Sequence, residues 1–371
     1  MGIIDRLGDA LLMALGMFWK TGWTLVLGFA ISAALQTVVP NEALRARLGK
    51  GGPRQIGLAA LLGAASSSCS FASTSITRTL FRKGAALEVA LAFLFASTNL
   101  VIELGIVLYL LMGWQFMVAE WVGGIVLILV MSLIVKATYP AKLAEDARSH
   151  MESGDGHGHG GAMPPGEHWW QRLASREGRL AVARHFTMDW SMLWKDLAIG
   201  FAVGGLIAAF VPDSFWHSLF LSNAPAAIQI PANAILGPIV ASLTFLCSIG
   251  NVPLAAILWA SGATFGGVIA FIYGDLIILP LLDAYRRYFG LRMAAYIGAV
   301  LYASMVIAAI LVDLGFNALG LVPQLQPDIR VKLMTFSIDY TFWLNIAFGA
   351  LAIWLYLLSK KQPAPKHHCC H

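Results

Sequence analysis

Charge is what this chain has least of. Only 12% of its residues are Asp, Glu, Lys or Arg, about half the share of a soluble globular domain, while 58% are hydrophobic and the mean hydropathy is +0.72. Those figures exclude an ordinary soluble enzyme. Lys and Arg outnumber Asp and Glu by 25 to 20, but they sit in a few loops between apolar runs, which points to membrane orientation and away from nucleic acid. Cysteine is scarce too. Of the four, Cys69 and Cys247 lie in apolar segments and Cys369 and Cys370 are adjacent at the tail, which excludes a disulfide framework. No Gly-x-x-x-x-Gly-Lys-Ser/Thr run is present to bind ATP, and the one long polar loop is too short and Gly-rich for a catalytic domain. The chain therefore reads as no enzyme and needs no cofactor. Its N-terminus lacks the basic stretch of a cleavable signal peptide and is expected to be retained.

Long apolar runs are what it has most of. A helix needs about 20 mostly apolar residues to cross about 30 Å of hydrocarbon, and by that criterion spans are expected at 14–39, 85–112, 116–137, 190–211, 263–283, 293–314 and 339–358. Two further stretches, 56–82 and 233–262, are interrupted by Ser66-Ser67-Ser68-Cys69-Ser70 and by Cys247-Ser248-Ile249-Gly250-Asn251-Val252-Pro253. They read as broken helices. Superposing the interruptions exposes an internal repeat: Cys69-Ser70 falls on Cys247-Ser248, Gly84 on Gly262, Ala92-Phe93 on Ala270-Phe271 and Ser97 on Asp275. The expected organisation is a first transmembrane repeat at 1–137, a cytoplasmic His- and Gly-containing linker at 138–189 and a second repeat at 190–314. A loop and extra transmembrane helix follow at 315–358, then a cytoplasmic His/Cys tail at 359–371.

Loop charge bears on whether the repeats are parallel or inverted. Arg45, Arg47, Lys50 and Arg54 precede the Cys69 segment and Arg78, Arg82 and Lys83 follow it, whereas 212–262 contains no Lys or Arg. Equivalent regions are then expected on opposite sides, with both interrupted segments as re-entrant hairpins, the N-terminus outside and the C-terminus cytoplasmic. The fold class expected is all-α and polytopic, with two inverted repeats each holding a re-entrant or broken helix hairpin, plus one extra C-terminal helix. Kinked spanning helices in a parallel duplication are the alternative. An inverted repeat with broken helices suits alternating access, because irregular backbone at membrane depth survives only beside protein or a water-filled cavity.

Candidate solute contacts cluster at the interruptions: Ser68, Cys69, Ser70, Ser73 and Thr74 in one, Cys247, Ser248 and Asn251 in the other. Hydroxyls there can replace a solute's water, and two single thiols at equivalent positions suit a soft electrophile such as trivalent arsenic or monovalent copper. Small residues packing helices closely, and buried cysteines acting as small apolar residues, are the competing explanations. Asp275, in the middle of 263–283, is the candidate proton or cation site, since an acid at mid-span costs about 2.5–3.5 kcal/mol on insertion scales. Asn99 and Glu103, four apart and expected on one helix face, would add a polar patch. Glu88, Glu120, Asp283 and Asp313 lie nearer span ends and are given no mechanism. His150, His157, His159 and His168 in the linker, and His367, His368, Cys369, Cys370 and His371 at the tail, form flexible tracts able to capture metal, or a solvated linker with incidental histidines.

Cys69-Ser70, then Arg82-Lys83-Gly84 and Ala90-Leu91-Ala92-Phe93-Leu94, and in the second half Cys247, Pro253, Gly262, Asp275-Leu276-Ile277-Ile278-Leu279-Pro280 and Tyr285-Arg286-Arg287-Tyr288, resemble the predicted permease family that includes the bacterial organoarsenical efflux permeases. The resemblance implies an inner-membrane efflux permease for trivalent arsenicals, with Cys69 as a solute contact. Many relatives are expected to carry Cys-x-Cys where this chain has Cys69-Ser70-Phe71, so a dithiol site here would need Cys247 from the other half. The expected partners are the lipid bilayer, a small inorganic or organometalloid solute and no nucleic acid, with a homo-oligomer allowed. Export of copper, zinc or a small organic solute is the alternative within transport. A membrane-embedded metal sensor or assembly factor is the alternative of another class.

Overall fold

The computed structural model describes residues 3–38, 51–66, 70–82, 84–139, 141–153, 169–244, 248–324 and 340–360, all of them in helices or the short turns between them. The chain enters through α1 (Ile3–Val38), then α2 (Pro53–Ser66), α3 (Ser70–Arg82), α4 (Leu87–Asn99), α5 (Ile102–Met112) and α6 (Trp114–Thr138). Next come α7 (Ala141–Ser153), α8 (Trp169–Ala174), α9 (Arg176–Phe210), α10 (Asp213–Leu219), α11 (Ala226–Thr244) and α12 (Ser248–Ala260). α13 (Phe265–Tyr273) runs into a 3₁₀ turn, Gly274–Ile277, before α14 (Leu279–Phe289), α15 (Leu291–Ala318) and α16 (Tyr340–Ser359). By length and composition α6, α11, α15 and α16 can each cross a bilayer. The protein is an all-α polytopic membrane protein.

The order of helices α2 to α6 recurs in α11 to α15, and so do their pairings. α2 lies on α4 as α11 lies on α13, and α4 and α5 pack on α6 as α13 and α14 pack on α15. Across the centre α3 meets α14 and α12 meets α5, while α1 runs along α9 and α6 along α15. Turn glycines repeat as well: Gly84 (φ +95°) matches Gly262 (φ +90°), and Gly113 (φ +99°) matches Gly290 (φ +81°). In that left-handed region a Cβ is strained. Close approach fixes two more glycines, since a Cβ on Gly63 would lie 2.6 Å from the Phe93 carbonyl oxygen and one on Gly237 2.6 Å from that of Gly267. Small residues at such crossings bring backbones together. α16 covers the α1 and α9 pair, with Asn345 Nδ2 donating to the Trp19 carbonyl at 2.8 Å and Trp23 against Phe348.

Several expected boundaries move. The spans at 85–112 and 263–283 are not straight: α4 and α5 meet at 42°, and α13 with its 3₁₀ turn meets α14 at 44°. The spans at 14–39 and 190–211 are parts of longer helices. α9 begins inside the expected linker, because Ser175 caps it by accepting from the Gly178 N–H at 2.9 Å, with Glu177 in its first turn. The linker also holds α7, whose Ala144, Ala147 and Met151 are buried on one face. Arg148 anchors it, lying 4.6 Å over the Phe81 ring and donating to the Ala85 carbonyl at 3.3 Å.

Candidate functional site

The site is built where α3 and α12 meet the 3₁₀ turn. The hydroxyls of Ser70 on α3 and Ser248 on α12 both donate to the same oxygen, Oδ2 of Asp275, at 2.7 and 2.6 Å. Side chains of two separate helices therefore converge on one carboxyl group. All three residues are buried. Asp275 does not stand in the middle of a continuous span, as the sequence suggested, but in the 3₁₀ turn where α13 ends. Ile278 is extended (φ −60°, ψ 146°) and Pro280 opens α14. Pro280 has no N–H to offer the carbonyl of Leu276, and the Tyr285 hydroxyl donates to that carbonyl instead, at 3.1 Å.

The remaining candidates divide. Ser73 and Thr74 are wholly buried, and both hydroxyls turn back to the Ser70 carbonyl, at 3.1 and 2.7 Å, the local bonding that small polar residues make inside helices. Asn251 is wholly buried; its Oδ1 accepts from Thr244 at 3.4 Å and its Nδ2 has no partner among the described residues. Asn99 is wholly buried with both amide atoms unpartnered among those residues. It does not share a helix face with Glu103. α4 ends at Asn99, Val101 is extended (φ −94°, ψ 144°), and the Trp121 indole reaches the Val101 carbonyl at 3.4 Å. The bend places the two side chains on different helices. Ser68, Cys69, Cys247, His157, His159, His168, His367, His368, Cys369, Cys370 and His371 lie outside the described residues, as does the side chain of His150. Within the described residues no three His, Cys, Asp or Glu side chains gather to hold a metal.

Two acids that the sequence left without a role are deeply buried. Glu120 on α6 has no exposure, and both its carboxyl oxygens lack a hydrogen-bond partner among the described residues. It lies beside Tyr273, whose hydroxyl donates to the Glu120 carbonyl at 3.3 Å. Proximity to a span end was the wrong criterion, because α6 is packed against α4, α5, α13 and α15 at that level. The signal available was an acid near Gly123-Gly124, small residues that let the Tyr273 hydroxyl and Leu100 side chain press on α6. Asp313 is 1% exposed and closes the start of α13 by accepting from the Gly266 N–H at 2.6 Å, with Asn317 donating to its other oxygen. Its position is structural. Asp283, by contrast, is partly exposed and pairs with Arg286 and Arg287.

The arrangement holds a buried carboxyl group between side chains of two separate helices, a polar site at membrane depth of the kind transporters use for ions and solutes. Comparison with known proteins agrees. A family described as predicted permease, ArsP_1, matches residues 6–314, stopping short of α16. The Mycobacterium tuberculosis (strain ATCC 25618 / H37Rv) protein Rv2963, whose name places it provisionally among permeases, is 46% identical over 321 residues, covering 85% of this chain and 79% of that protein. No solved structure matches. The chain thus belongs to this predicted permease family, and it is a multi-pass membrane transporter.

Proposed function

We propose that this permease is a secondary-active exporter of arsenite or trivalent organoarsenicals in the bacterial inner membrane. It works by alternating access around two re-entrant hairpins, one carrying Cys69 and the other Cys247. The observation that carries the reading is the convergence of Ser70 and Ser248, equivalent residues of the two halves, on Asp275. A carboxylate shared by two broken helices is a contact that one half can give up while the other keeps it, which is what a solute-linked change of access needs. Cys69 and Cys247 immediately precede those serines, so a thiophilic solute bridging them would act directly on the Asp275 contacts. Ser68, Asn99 and Asn251 would complete the solute's polar surroundings. Asp275, with Glu103 as a second acid, would couple movement to a proton gradient. The N-terminus is placed outside and the C-terminus inside, so that the histidine-bearing linker and the His/Cys tail would gather solute in the cytoplasm.

Growth of a metalloid-sensitive bacterial strain, with and without the protein, across arsenite, a trivalent methylated or aromatic arsenical, copper and zinc tests the reading. Protection limited to the arsenicals is expected, together with their accumulation in everted membrane vesicles under a proton gradient. Protection against copper or zinc alone would replace the substrate. Metal binding with no flux would turn the protein into a sensor.

A further inference from the structure

We propose that α7 is a strap that closes the Asp275 site on the linker's side of the membrane, with Arg148 as its fastening. The inference rests on the reading of that site as the centre of alternating access, and deepens it by naming what holds one side shut. α3 and α14 are the two helices that lead from the site to α7. α3 carries Ser70, whose hydroxyl reaches Asp275, and α14 follows the turn that holds Asp275. Ser70, Thr74, Thr77 and Phe81 are all buried and recur at helical spacing along one face of α3. At about 1.5 Å per residue, Phe81 lies about 17 Å along the axis from Ser70. At that level aromatic groups join the two helices: the Phe81 and Phe289 rings are 6.0 Å apart, and the Arg78 guanidinium lies 4.8 Å over the Tyr288 ring.

α7 lies across that joint. It packs on α3, α14 and α15, so it touches both halves of the repeat. Its chain enters from α6, whose last residue, Thr138, shares a hydrogen bond of 2.8 Å with Tyr296 on α15. The Arg148 guanidinium lies 4.6 Å over the Phe81 ring and donates to the Ala85 carbonyl, in the turn between α3 and α4, at 3.3 Å. Phe81 therefore contacts both the strap and α14. A separation of α3 from α14 must take α7 off one of them.

The composition of α7 suits release as well as closure. Its buried face is Ala144, Ala147 and Met151, two of which bury a single methyl each, while Lys142, Glu145 and Asp146 are exposed. Such a helix lies at the aqueous surface, and lifting it uncovers little apolar area. The directional contacts are those of Arg148, so the strap opens when one side chain lets go. Opening of the site on this side then takes release of Arg148 and parting of Phe81 from Phe289.

The test is the rate at which a membrane-impermeant maleimide, added on the linker's side, labels single cysteines in the full-length protein in phosphatidylethanolamine and phosphatidylglycerol vesicles. Cys69, Cys247, Cys369 and Cys370 are first replaced by Ser, and no solute is present. One reporter is Thr77→Cys, between Ser70 and Phe81 on α3; the other is Ala255→Cys, its equivalent on α12, and both positions are buried. Arg148→Ala should raise labelling of Thr77→Cys about tenfold, the factor by which loss of one charge-assisted hydrogen bond shifts a local opening, and leave Ala255→Cys unchanged. No increase at Thr77→Cys overturns the proposal, because Arg148 then fastens nothing. An equal increase at both reporters also overturns it, because the whole bundle has then loosened. Should Arg148→Ala fail to fold, Ala147→Glu takes its place, setting a carboxylate in the buried face of α7 with Arg148 intact, and is read by the same two criteria. Because no solute enters the measurement, failure here leaves arsenical export standing, and absence of arsenical flux leaves the strap standing.

Discussion

Ser70 and Ser248, on two separate helices, donate hydrogen bonds to one and the same oxygen of Asp275. Hydrogen bonds to a charged group contribute about 1.5–3 kcal/mol each, and two that share an acceptor are not independent. Ser70→Ala and Ser248→Ala should therefore each lower the melting temperature of the detergent-solubilised protein. The double variant should depart from additivity by about 0.5–3 kcal/mol, the range for residues in one hydrogen-bond network. A strictly additive cycle would mean that the serines do not act on a common carboxylate.

Asp275→Asn keeps the side chain's shape and one acceptor oxygen but removes the carboxyl group that both serines hold. The variant should insert and fold, because a neutral amide at this depth is cheaper than an acid. Gradient-driven flux of the solute should fall to the level of protein-free vesicles. Unchanged flux in everted vesicles would remove Asp275 from the coupling.

Cys69 and Cys247 bear on the substrate. A trivalent arsenical is thiophilic, and soft thiolates select soft partners, so Cys69→Ser with Cys247→Ser should return cells to nearly the arsenical sensitivity of a strain lacking the protein. Each single variant should retain part of the protection. Full protection in the double variant would make both cysteines packing residues.

The all-helical class and the membrane setting were legible from composition and apolar length alone, while the repeated Cys-Ser singled out Ser70 and Ser248 as solute contacts and gave no sign that Asp275 accepts from both. What escaped was set by contacts between distant residues. The bends after Asn99 and Ile277 lie inside apolar runs that satisfy any hydropathy window. They persist because Trp121 reaches the Val101 carbonyl and Tyr285 the carbonyl that Pro280 cannot bond. Pro280 was visible, but the hydroxyl that makes it tolerable is supplied by folding. Glu120 was misjudged for the same reason. Distance from a helix end measures depth along the axis, and burial of Glu120 comes from Tyr273 and the helices packed around α6.

Glycine crossings give a stability prediction independent of transport. Gly63→Ala and Gly237→Ala each place a Cβ 2.6 Å from a backbone oxygen of the neighbouring helix, and overpacking of that kind costs about 1–3 kcal/mol. Gly57→Ala, with nothing within 4 Å, should be neutral or slightly stabilising, since Ala is the better helix former. Thermal unfolding of the three variants in one detergent decides it. Equal melting temperatures would mean that α2 and α4, or α11 and α13, are less tightly apposed.

Topology is the prediction on which the mechanism turns. If the two halves are inverted, a tag at residue 222 is periplasmic and one at residue 50 is cytoplasmic, as the absence of Lys and Arg from 212–262 and their abundance around residue 50 require. Membrane-impermeant labelling of single cysteines introduced at the two positions reads the side directly. Both positions on one face would make the repeat parallel. The serines of α3 and α12 would then approach Asp275 from the same side of the membrane, and withdrawal of one could no longer exchange access between its two faces. Opposite faces are expected, because only then do the two contacts to a single oxygen become the two ends of an alternating cycle.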